Sequence, residues 1–225
     1  MVVNRDPCLN GVEPGEGVLT IYLSPIALDI NPICALNKVF ITEHELNFPD
    51  QEITYDFQGD NSTNYEWVVK NNAYFINNNG ERYQLESFHT HKKGEHTING
   101  ERFDLELHFV FPEPIDFSPE NILVLGLLFK VGDESSQIIK EILDNKPIKI
   151  PTIIKESFCT YNGSLTKQNL EDIDALAVNW NILTDIFSIS QTDYLRILSK
   201  SREVSRLRSS NGRNINYIPT CNCCR

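Results

Sequence analysis

The chain has 225 residues, 40% of them hydrophobic and 23% charged, ordinary globular proportions that allow one substantial core. Its 31 acidic and 20 basic side chains leave a formal charge of −11. That balance argues against nucleic acid or an anionic membrane as the main partner, since both reward basic surfaces.

Residues 1–20 are rich in Gly, Pro and Glu and read as an irregular arm, followed by one domain over 21–215 and a Cys-rich tail over 216–225. Met1 to Pro7 contains no apolar run of the kind that opens a signal peptide, so a cytoplasmic location is expected, with a virion or surface location left open. Strand-like runs follow at Gln51–Phe57, Glu66–Lys70, Tyr83–His91, Arg102–Phe111 and Ile122–Val131. Each is rich in β-branched or aromatic residues and is bounded by Gly, Pro, Asn or Asp. The longest apolar stretch, Ile122–Phe129, is closed by Lys130 and is too short to span a bilayer. Ser135–Leu143 has a helical apolar spacing, and Ser190-Gln-Thr-Asp193 reads as a capping box opening a helix to about Lys200. The fold class expected is mainly β: a large, mostly antiparallel twisted sheet with a few short surface helices.

Six cysteines lie at positions 8, 34, 159, 221, 223 and 224, without the even spacing of a disulfide framework. Cys221, Cys223 and Cys224 suit metal binding, intermolecular disulfides or no role. Residues 200–225 carry six basic groups and one acid, so the first 199 stand at −16 and the tail at +5. Such a tail lies against the acidic body or binds an acidic partner.

Four of the five histidines fall between His89 and His108. On a strand, residues i and i+2 share a face, so His89 and His91 reach one point while Phe88 and Thr90 face away. The next strand, returning antiparallel, brings His108 as a third nitrogen. Three neutral imidazoles leave one tetrahedral position open, the design of a catalytic zinc site. The same ligands suit copper, iron or nickel. Glu106 shares the parity of His108 and can hold a ligating imidazole by its other N–H.

Ser87-Phe-His-Thr-His91, Glu95-His-Thr97 and Glu106-Leu-His-Phe-Val110 together resemble the signature of the alpha-class carbonic anhydrases. Ser24-Pro-Ile26, Asn71-Asn-Ala-Tyr74, Val124–Gly132, Thr160–Thr166, Ala177–Trp180 and Asn211-Gly-Arg213 resemble further family segments in the same order. The resemblance implies a ten-stranded sheet with zinc at the bottom of a conical cavity, held by His89, His91 and His108. It implies reversible hydration of CO₂ to bicarbonate by a zinc-bound hydroxide, oriented by Thr166 with Glu95 behind it. Glu106 would hold His108, and Val110, Val124, Leu165, Val178 and Trp180 would form the CO₂ pocket.

Several positions depart from the family. Tyr74 stands where the family's proton-shuttle histidine does, and a phenol is a poor shuttle at neutral pH. Ser87 replaces a Gln that orients the first ligand. Lys167-Gln-Asn169 replaces Thr-Pro-Pro, so Lys167 either faces the metal or points to solvent. Lys92-Lys93-Gly94 shortens the turn after the second ligand. An alternative to catalysis is a binding or attachment module on the same fold; a third is zinc-dependent ester hydrolysis. The partners expected are CO₂ and bicarbonate.

Overall fold

A computed structural model describes residues 24–28, 49–60, 64–76, 82–112, 121–150, 158–166, 177–205 and 216–218. Its strands are β1 (Ala27–Leu28), β2 (Tyr55–Gln58), β3 (Glu66–Val69), β4 (Tyr74–Ile76), β5 (Arg82–Gln84), β6 (Ser87–His91) and β7 (Thr97–Ile98). They continue with β8 (Glu101–Arg102), β9 (Leu105–Pro112), β10 (Asn121–Gly132), β11 (Phe158–Gly163), β12 (Ala177–Ser190) and β13 (Asn216–Ile218). Helix α1 spans Gln137–Leu143 and α2 spans Gln191–Leu198.

Eight strands form one sheet in the order β13-β11-β12-β10-β9-β6-β3-β2, beside a small β1-β7-β8 sheet and a β4-β5 ribbon. Ten strands were expected in the main sheet; eight pair there among the described residues. Every neighbouring pair in it is antiparallel except β10–β12. The expected mainly β, mostly antiparallel architecture is therefore present. The parallel pair needs a long crossover, and the segment between β10 and β12 contains α1 and β11.

Three sequence expectations need correction. Arg102–Phe111 breaks at Phe103-Asp104: Arg102 ends β8 in the small sheet, and β9 of the main sheet begins at Leu105. Tyr83–His91 is not one strand. It divides at Leu85-Glu86 into β5, which pairs with β4, and β6, which enters the main sheet. The step is fixed by Leu85 N–H donating to Ala73 O and Glu86 N–H to Val110 O. The 14-residue β12 was not expected at all. Its Asn and Asp residues interrupt the apolar pattern, and only pairing with β10 and β11 makes it a strand. The two helices fall where expected, and Ser190 Oγ accepts the Asp193 N–H at 3.2 Å to cap α2.

Strand parity separates the two faces of the sheet. Leu105, Leu107, Phe109 and Phe111 of β9, with Leu123, Leu125, Leu127 and Phe129 of β10, enter the larger core. That core also holds Phe88, Trp67 and the α1 residues Ile138, Ile139 and Ile142. The opposite face carries Glu106, His108 and Val110, beside a second apolar cluster that contains Val124, Leu128, Val178 and Trp180. Among the described residues, no helix is long and apolar enough to cross a membrane.

Candidate metal centre

β6 and β9 pair with His89 opposite His108 and His91 opposite Glu106. The pairing places the i, i+2 histidines of one strand and the single histidine of the next on one face. Ring centroids lie 5.0 Å apart for His89–His91, 5.3 Å for His89–His108 and 4.9 Å for His91–His108. One nitrogen from each lies within 4.8 Å of the others, and all three side chains are buried. Among the described residues, this group can hold a metal ion.

Hydrogen bonds set which nitrogen faces inward. His91 Nδ1–H donates to Glu203 O at 2.9 Å, which leaves Nε2 as a lone-pair donor. That Nε2 is buried and has no hydrogen-bond partner among the described residues. Burial pulls the His91 pKa down to about 4, against the opposing pull of Glu95, so the ring is neutral at pH 7. A buried, neutral, unpartnered imidazole nitrogen is what a metal ligand requires.

Glu106 is the hub behind the triad. Oε1 accepts from His108 Nε2 at 2.7 Å and His96 Nδ1 at 2.6 Å; Oε2 accepts the backbone N–H groups of Glu95 at 2.6 Å and His96 at 2.9 Å. Burial alone would push its pKa up. His96 and His108 outweigh that and hold the carboxyl well below its ordinary range. His108 must then donate from Nε2, so Nδ1 turns to the other two imidazoles. His96, Glu106 and His108 also form a close group. Their facing atoms are already joined by hydrogen bonds, which explains the cluster without an ion.

The network runs outward through His96 Nε2, 2.6 Å from Tyr161 Oη, which lies 3.2 Å from Ser24 Oγ. Ser24 N–H donates to Ser164 Oγ, and Ser164 N–H returns to Ser24 Oγ. Trp180 Nε1–H donates to Ser164 O at 3.0 Å. The turn carrying Leu165 and Thr166 is thus pinned by the N-terminal Ser24 and by β12. His96, Tyr161 and Ser164 lie inside the quoted motifs, but spacing alone gave them no role.

An open cavity sits over the triad, about 440 Å³ including its mouth. Its walls are His89, His91, His108, Val110, Val124, Leu165, Thr166, Trp180 and Arg202. Four of the five expected apolar pocket residues lie there. Val178 does not: it is fully buried in the apolar cluster behind the wall. Tyr74 is also absent from the described lining. It lies in the β4-β5 ribbon with the Arg82 guanidinium 4.6 Å from its ring centroid. Lys167 and the Cys221–Cys224 segment lie outside the described residues.

Glu95 is fully buried behind His91, with Oε1 3.3 Å from His91 Nδ1 and accepting the Ser205 N–H at 2.6 Å. Its Oε2 has no hydrogen-bond partner among the described residues. Thr166 lines the cavity, 9% exposed. Arg202 was not anticipated. It lies in the basic stretch over 200–225 and pairs with Glu66 at 3.0 Å; most of that stretch lies outside the described residues.

A family model of eukaryotic-type carbonic anhydrases matches residues 24–217. The chain belongs to that family. Alpha carbonic anhydrase 7 of Arabidopsis thaliana is 29% identical to this carbonic anhydrase-family chain over 136 residues, 53% of this chain and 46% of the relative. The matched stretch is therefore about half the length of that relative. A solved structure of dioscorin complexed with ascorbate shares the fold, with a TM-score of 0.69 and 21% identity over 89% of this chain and 87% of that one. The alpha-carbonic anhydrase of Photobacterium profundum shares it too, at 0.68 and 17% identity over 87% and 88%.

Proposed function

We propose that this family member is a zinc-dependent carbonic anhydrase that hydrates CO₂ reversibly to bicarbonate and a proton. The observation that carries the reading is the convergence of three buried imidazoles, one with an orphaned inward nitrogen, beneath an apolar wall. His89, His91 and His108 would hold the ion. Zinc in such a site supplies Lewis acidity, making water a nucleophile near neutral pH.

The remaining work falls to the chain. Val110, Val124, Leu165 and Trp180 give a neutral, weakly binding substrate an apolar seat beside the metal. Glu106 fixes His108, and the Glu203 carbonyl fixes His91, so the ligands are set before the ion arrives. Thr166 would orient the attacking oxygen, its hydroxyl donating to Glu95. Beyond the three imidazoles, the described lining holds no histidine or carboxylate that could relay a proton. The released proton would leave to buffer, and added imidazole should raise the turnover.

Stopped-flow CO₂ hydration on protein of measured zinc content is the test, with His108→Ala beside it. About one zinc per chain with activity, both lost in the variant, is the expected result. Full zinc without hydration would favour the second reading, a binding module on the same fold. The orphaned Glu95 Oε2 and the fold shared with dioscorin support that alternative.

A further inference from the structure

Arg202 is a mostly buried cation on the wall of the metal cavity, its side chain 13% exposed. Its backbone is locked to the ligand strand: Arg202 N–H donates to Thr90 O at 2.7 Å, and Lys92 N–H donates to Arg202 O at 3.0 Å. The Arg202 backbone is therefore held beside His91, with which it forms a parallel bridge, and the residue joins His91 in the cavity wall. Nε–H donates to Tyr65 O at 2.6 Å and Nη2–H to Glu66 Oε2 at 3.0 Å. A guanidinium carries about five N–H donors in a rigid planar fork. The remaining donors have no protein acceptor among the described residues. Glu66 is itself 35% exposed, so solvent weakens its hold on the charge.

Spare donors on a desolvated cation favour an acceptor that brings negative charge. CO₂ is neutral and gains little from them; its hydrated product is a planar anion.

We propose that Arg202 is an anion-holding residue of this cavity, its spare N–H groups gripping a small planar oxyanion of the bicarbonate class beside the three imidazoles. The inference deepens the hydratase reading by giving the product side of the reaction a dedicated group. It makes Arg202 a determinant of the bicarbonate KM rather than of the rate of attack on CO₂.

Nitrate, a planar oxyanion, is the probe, titrated by calorimetry into zinc-loaded and metal-free protein. Arg202→Met should raise its dissociation constant about tenfold in both forms. Arg202→Lys should recover part of the loss, since it keeps the charge without the fork. Two carboxylates act on the guanidinium, Glu66 and the buried Glu95; Glu66→Gln removes the one bonded to it, outside the cavity lining, and should tighten nitrate. In kinetics, Arg202→Met should raise the KM for bicarbonate more than it lowers kcat for hydration. Nitrate binding unchanged in a folded Arg202→Met overturns the proposal. If that variant does not fold, nitrate binding unchanged or weakened in Glu66→Gln overturns it instead. Zinc content is read separately. A chain that takes up no zinc sinks the hydratase reading, while the metal-free titrations still decide the role of Arg202.

Discussion

Glu106 shows how one buried charge can be held without a neighbouring Lys or Arg. It takes four N–H donors, two from imidazoles and two from the backbone, so every lone-pair direction is used. Glu106→Gln would place an amide N–H against those donors. Zinc affinity should fall by about 10–100-fold, measured by competition with a chromophoric chelator. Cys159 is the opposite case, a thiol with no electrostatic partner. Burial pushes its pKa up to about 12, so the thiolate is absent at ordinary pH. Peptide mapping after iodoacetamide treatment at pH 8 should find Cys159 unmodified in the folded protein and alkylated in denaturant. Modification in the folded state would mean that β11 opens far more readily than its pairing with β12 suggests.

At the scale of elements, the site depends on where β6, β9 and β10 meet. Gly126 of β10 lies opposite His108 of β9. A Cβ there would sit 3.4 Å from Glu106 Oε1, 3.7 Å from His108 Cδ2 and 2.5 Å from Ile182 Cδ1. Alanine would need only the tip of Ile182 to move. Gly126→Val adds two methyls that must enter the space of the Glu106–His108 pair. It should destabilise the fold by about 1–3 kcal/mol and weaken zinc binding together, seen in denaturant melts and metal titration. The cap of α2 acts locally by contrast. Ser190→Ala removes the bond to the Asp193 N–H and should lower stability by about 1 kcal/mol, leaving zinc affinity as it was. A change in metal binding in that variant would mean that α2 transmits to the cavity.

At the scale of the whole molecule, the large sheet divides labour between its faces, one packed as core and one furnished as a site. A metal that binds only the folded chain stabilises it by mass action, about 4 kcal/mol at a thousandfold excess over the dissociation constant. Chelation should therefore lower Tm, and zinc should restore it; His108→Ala should show neither response. Local patterning along the chain was enough to place three converging histidines and the glutamate behind them. The i, i+2 spacing of His89 and His91, and of Glu106 and His108, works only on strands, and strand parity is a local property of the chain. It also carried the apolar runs of β9 and β10 and the Ser190 cap. It did not disclose β12, whose polar interruptions are tolerated because β10 and β11 supply its hydrogen bonds. Only long-range packing set Val178 behind the cavity wall, the Arg82 guanidinium over the Tyr74 ring, and Arg202 in the same cavity wall as the three histidines. Arg202 is more than 90 positions from His108 in sequence, and charge patterning gives no sign of the cavity it would enter. Such placements arise from long-range pairing, where the identity of a neighbour is fixed by how strands meet rather than by spacing along the chain.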